Sequence, residues 1–202
     1  MRNKVLGVLA LGCLAIASQA RATPIDFNFG IPSGDQGLTH TYTAGSPSLS
    51  ITATAFGTPA ADLWGKNAGG DEVGLGLTND STHDHEIQVG KGFIQLDVMA
   101  LFGKVSSLST KFQTNSTTGG DAYQVFGSNT AGTLGTLVAA GGSEISQALP
   151  DFGTYRYYDF NASAGNYLIS SITAQQNVPE PASFVILGAG LLGIGMMARR
   201  QA

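Results

Sequence analysis

The chain has 202 residues, 43% of them hydrophobic and 12% charged, with one cysteine and a formal charge of −4. That length holds about one domain with a real core, and so few basic residues leave no patch to gather phosphates, which excludes nucleic acid as a partner. The lone Cys13 sits in an apolar run near the N-terminus, so the rest of the chain has no disulfide, no cysteine nucleophile and no thiolate zinc site.

The first element is that run. Arg2 and Lys4 precede an apolar stretch that drifts into small residues, and Ala20-Arg21-Ala22 offers a small-x-small cleavage site. Charged, apolar and small regions in that order predict a secretory signal peptide over residues 1–22, handled by the Sec machinery and signal peptidase. Cleavage is expected after Ala22, with Ala20 ending a competing site. A lipoprotein reading would start the mature chain at Cys13, but Ala10-Leu11-Gly12 is a poor approach to it.

Residues 23–177 follow as one domain. Five basic side chains (Lys66, Lys91, Lys104, Lys111, Arg156) face thirteen acidic ones, a formal charge of −8. Such a domain collects divalent cations or simply stays soluble. Short alternating runs separated by turn residues predict strands at Asp26–Phe29, Leu38–Thr43, Leu49–Ala55, Val73–Leu77, Phe93–Met99, Val105–Phe112, Ala122–Gly127, Gly135–Ala140, Tyr155–Phe160 and Asn166–Thr173. In Phe93–Met99, Ile94, Leu96 and Val98 share one face, and Gln95 and Asp97 take the other. No stretch of the domain keeps a helical period for three turns. The fold class expected is all-β, a single β-sandwich or jelly-roll-like domain. The polar Thr173–Val178 reads as a short linker.

Two constellations in the domain carry candidate chemistry. The most polar segment, Asn79–Glu86, holds two of the three histidines. If it is extended, His83 and His85 point one way and Asp84 and Glu86 the other. Asp80, Asp84 and Glu86 with loop carbonyls suit calcium, and His83 and His85 with a carboxylate suit zinc, though zinc lacks a third ligand and the calcium spacing is irregular. Asp71-Glu72 is a second source of carboxylates. A solvated loop running into a strand is the plainer reading, and calcium stands as the one cofactor alternative. The second constellation is aromatic: Trp64, the only tryptophan, and Tyr155, Tyr157 and Tyr158 in one strand. Sugar rings stack on such faces, but Tyr155 and Tyr157 share one side and Tyr158 and Phe160 the other, so one side must be core. No Gly-x-Ser-x-Gly elbow, His-Glu-x-x-His pair or phosphate-cradling loop occurs, and an enzyme is not expected. A glycan hydrolase is the third reading, because thirteen acids offer many carboxylate pairs.

The tail, residues 178–202, has three parts. Pro179 and Pro181 hold Val178–Pro181 extended around Glu180. Ala182–Ala198 gives seventeen residues without a charge, at the lower limit for a bilayer-spanning helix, with glycines at 188, 190, 193 and 195. Arg199 and Arg200 would stay in the cytoplasm and leave the β domain outside. An anchor needs only apolarity, whereas an extended Pro-Glu-Pro suits the cleft of a cutting enzyme.

Val178-Pro179-Glu180-Pro181, the Gly/Leu-rich span and Arg199-Arg200 resemble the PEP-CTERM sorting signal of Gram-negative bacteria. That resemblance implies an exosortase-like membrane transpeptidase as partner, with Pro179, Glu180 and Pro181 as the recognised triplet, the span as a transient stop and the arginines as its cytoplasmic lock. It also implies a setting in bacteria that make exopolysaccharide. Residues 74–173 are similar, more loosely, to exported domains that precede such tails, which implies a sandwich and no particular activity. The function expected is that of an exported surface or extracellular-matrix protein, structural or adhesive in an exopolysaccharide or biofilm layer. The alternative is a calcium-assisted carbohydrate-binding module.

Overall fold

The structure, a computed structural model, describes residues 23–70, 72–114, 120–142 and 146–177. The predicted signal peptide and the predicted membrane span of the tail lie outside the described residues. Fourteen strands occur among those described: β1 Pro24–Asn28, β2 Gly34–Asp35, β3 Thr39–Ala44, β4 Leu49–Gly57, β5 Leu63–Asn67, β6 Val73–Leu77, β7 Ile87–Gln88, β8 Gly92–Asp97, β9 Val105–Thr114, β10 Ala122–Ser128, β11 Thr136–Gly141, β12 Ser146–Leu149, β13 Tyr157–Ala164 and β14 Asn166–Gln176. A short 3₁₀ turn at Met99–Leu101 is the one helical element among them.

The strands form two antiparallel sheets. One runs β12-β9-β14-β6-β5-β2, with β1 and β7 also on β14, and the other runs β11-β10-β13-β8-β4-β3. β14 is the spine of the first sheet. β9 pairs along one side of it from Tyr167 to Gln176. On its other side three short strands follow one another: β7 at Asn166–Tyr167, β6 at Ile169 and β1 from Ser171 to Gln175. The spine had to be a strand because ladder bonds on both sides satisfy its backbone, whatever its side chains are.

Alternation places the core. In β4, Leu49, Ile51, Ala53 and Ala55 are buried and the residues between them are half-buried. In β8, Ile94 and Leu96 are buried, as is Val98 just beyond it. The inner faces of both sheets feed one apolar cluster. At its centre Phe112 of β9 stacks on Tyr123 of β10, with ring centroids 3.7 Å apart and planes 22° apart. Phe112 also meets Tyr167 of β14 edge-on at 5.5 Å and Phe160 of β13 at 5.9 Å. One ring thus touches aromatics of both sheets, and each such buried side chain stabilises the fold by about 1.5–3 kcal/mol.

Several expectations change. Thr173–Gln176 is not linker: β14 continues through Gln176, which pairs with Val105, while Gln175 pairs with both Ser107 and Pro24. The polar sequence misleads there because Ala174 alone needs to face the core and the backbone bonds fix the rest. β2, β5, β7 and β12 were not expected. β2 and β7 have two residues each, too few to show a period, and Gly65 breaks the alternation of β5. Leu38, expected to lead a strand, precedes β3 and is exposed.

Gln95 departs most informatively. It lies on the face of β8 opposite the core, yet it is buried. The segment after β10 folds over it: the Gly132 N–H donates to Gln95 Oε1 at 3.0 Å, and Gln95 Nε2 donates to Asp159 Oδ1 at 2.7 Å. Asp159 of β13 is fully buried beside it.

Candidate functional site

The polar segment before β7 is a loop and not an extended strand. His83 and His85 both take left-handed backbone conformations, φ 62° and 61°, which non-glycine residues seldom adopt. Alternation therefore fails, and the expected split of histidines and carboxylates onto two faces does not occur. His83 and Asp84 are exposed. His85 instead lies flat on Trp64 of β5, with ring centroids 4.0 Å apart and planes 28° apart. Its carbonyl comes so close to Gly76 of β6 that a Cβ there would strike it, so the loop depends on that glycine.

The carboxylates of the loop have separate roles. Asp80 is buried, and its Oδ2 accepts the Thr82 hydroxyl at 2.7 Å and the Asp84 N–H at 2.8 Å. Its Oδ1 faces His85 Nδ1 at 4.0 Å. Glu86 is only 2% exposed and takes the Lys66 ammonium at 3.0 Å, while Lys66 also pairs with Glu72. Burial raises the Glu86 carboxyl above its ordinary range, and the nearby Lys66 offsets this only partly. Burial pulls the Lys66 ammonium down, but its two glutamates outweigh that and leave it raised. Among the described residues no three His, Asp or Glu side chains gather into a metal-sized cluster. The segment lies over the outer face of the first sheet, held by the His85–Trp64 stack and the Glu86–Lys66 pair.

The aromatic candidates separate as well. Trp64 is half-buried on that outer face, whereas the tyrosines belong to the region of β13 in the other sheet. Tyr158 is in the core, where its hydroxyl donates to the Pro150 carbonyl at 2.7 Å. Tyr155 is half-buried, with its ring pressed onto Gly127 so closely that a Cβ would strike it. The Arg156 guanidinium lies 4.9 Å from the centre of the half-buried Tyr157 ring. That guanidinium is held by Asp97 Oδ2, at 3.0 Å from Nε and 2.6 Å from Nη2. The four rings do not share a platform.

The two ends of the domain meet. β1 starts at Pro24, which pairs with Gln175 one residue before β14 ends. The chain therefore enters and leaves the first sheet side by side, at the point where the tail begins. Residues 177–201 match the family model of the PEP-CTERM protein-sorting motif. The tail is a PEP-CTERM sorting signal. No curated protein and no solved structure matches the chain.

The PEP-CTERM signal implies an exported protein with an exosortase as its processing partner, and a tail anchored in the membrane until it is processed. Pro179, Glu180, Pro181, Arg199 and Arg200 fall within the matched range and outside the described residues; Ala20 and Ala22 of the expected signal cleavage sites also lie outside the described residues. What the residues alone did not reveal is how closely the signal is joined to the fold. Nor did they reveal the buried Gln95–Asp159 pair, because no local pattern announces that residues far along the chain will cover one face of a sheet.

Proposed function

We propose that the protein is an exported structural or adhesive component of an exopolysaccharide or biofilm layer. In this reading the Sec machinery carries the chain across the inner membrane, and signal peptidase cuts after Ala22. Exosortase then removes the tail and leaves the β-sandwich at the cell surface or outside the cell. The observation that carries it is the PEP-CTERM match directly abutting a β domain. An acidic domain stays soluble and mobile among polysaccharide chains until it is fixed there.

A calcium-assisted carbohydrate-binding module is the second reading, with Trp64, half-buried on an outer face beside the stacked His85, or the half-buried Tyr155 and Tyr157 as its ring-stacking residues. Residues 23–177, co-sedimented with the exopolysaccharide of the producing organism over a concentration series, separate the two. The matrix reading expects weak retention without saturation, unchanged by calcium or chelator. Saturable binding lost in Trp64→Ala favours the module, and no retention under any condition contradicts both.

A further inference from the structure

The sorting signal begins where the folded domain ends. β14 is paired through Gln176, and the motif match starts at residue 177. Only Asn177 and Val178 separate the last strand residue from Pro179. An extended chain advances at most 3.3–3.6 Å per residue, so Pro179 lies within about 11 Å of Gln176. An enzyme that grips Pro179–Pro181 is therefore held against whatever surrounds Gln176.

What surrounds it is a groove. Thr23 just before β1, Pro24, Ile25 and Asp26 of β1, Gly45 and Ser46 of the β3–β4 turn, and Gln176 itself line an open groove of about 350 Å³. The walls are fixed by the fold. The Pro24–Gln175 pairing sets β1 beside the exit, and Asp26 Oδ1 accepts the Thr173 hydroxyl at 2.5 Å. The turn is pressed onto β1, because a Cβ on Gly45 would come within 2.6 Å of Ile25 Cδ1. Gly45 also has φ 83°, which favours glycine.

We propose that this groove is a docking surface for exosortase, a second contact beyond the Pro-Glu-Pro triplet; the inference rests on the PEP-CTERM reading. The short tether makes the second contact intramolecular once the triplet is held, so even a weak polar surface is engaged. Thr23, Asp26, Ser46 and Gln176 offer hydroxyl, carboxylate and amide groups to the enzyme surface next to its cleft.

The test uses the full chain in cells that make exosortase and follows the rate of tail removal. Ser46→Arg places a bulky cation in the groove from an exposed turn position. An extended proline-rich linker of roughly eight residues after Asn177 holds the groove about 25 Å further from the triplet and leaves the domain untouched. Each change alone is expected to slow removal roughly tenfold, the effect of a lost contact of modest size. Ser46→Arg is expected to add nothing in the linker background. Removal at the parental rate in Ser46→Arg with an unchanged melting temperature overturns the proposal. So does an unchanged or faster rate with the linker, the faster rate meaning that the domain merely obstructs the enzyme. If Ser46→Arg fails to fold, the linker chain decides. Glu180→Ala separates the two levels: removal at the parental rate in that variant would overturn the motif reading on which the docking surface depends.

Discussion

Replacing Phe112 with alanine is expected to destabilise the domain by about 3–5 kcal/mol, the cost of deleting a large aromatic from a core. This loss lies in the upper part of the range for single substitutions because the ring is shared. Phe112 belongs to β9 but stacks on Tyr123 and touches Phe160 of the opposite sheet, and it meets Tyr167 of the spine strand edge-on. The cavity would be bounded by three more aromatic rings, which cannot collapse into it without breaking strand register. Urea unfolding of residues 23–177 measures the loss. A change below about 1 kcal/mol would mean that the sheets are joined elsewhere.

The second large effect is one of pH. Burial of Asp159 pushes its carboxyl up to about 6 from an ordinary 3.8, and the donors Gln95 and Gly135 offset only part of that. The raised value fixes the sign. The folded state prefers the neutral acid, so this group's contribution is fully present below about pH 4 and is lost as pH rises through about 6. Raising this carboxyl from 3.8 to about 6 corresponds to about 3 kcal/mol in all. Between pH 7.5 and pH 5 the domain is expected to gain about 1.4 kcal/mol from this group, read from urea midpoints. Glu86, also raised by burial, adds in the same direction. Asp159→Asn is expected to flatten the slope to the part that Glu86 supplies. An equal slope in the two proteins would show that Asp159 is not the group responsible.

How much of this was legible in the residues depends on the range of the forces involved. Leu49–Ala55 and Ile94–Val98 announced their faces, because alternation is local and the core reads it directly. The sorting motif of the tail was legible, since its recognition depends on linear order. The loop Asn79–Glu86 was legible as polar but not in geometry: left-handed histidines at 83 and 85 undo the alternation that would have grouped its side chains. Tyr155, Tyr157 and Tyr158 were legible as two faces, and the structure assigns Tyr158 to the core. Gln95 read as a residue on the face away from the core, and only a covering segment from beyond β10 buries it beside Asp159. Thr173–Gln176 looked like a linker because its stability comes from backbone pairing with β1 and β9. That last misreading matters most for function, since it hid how little chain separates the fold from the sorting signal.

The central claim is that this chain is exported, folds outside the inner membrane and loses its PEP-CTERM tail there. The most direct test is the intact mass, with sequencing of both ends, of the protein recovered from the producing bacterium. The account predicts a form that begins at Thr23 and lacks the apolar span and the terminal arginines, found in the surface and extracellular fractions. A form retaining residues 182–202 in the inner membrane, unchanged when exosortase is deleted, would contradict it.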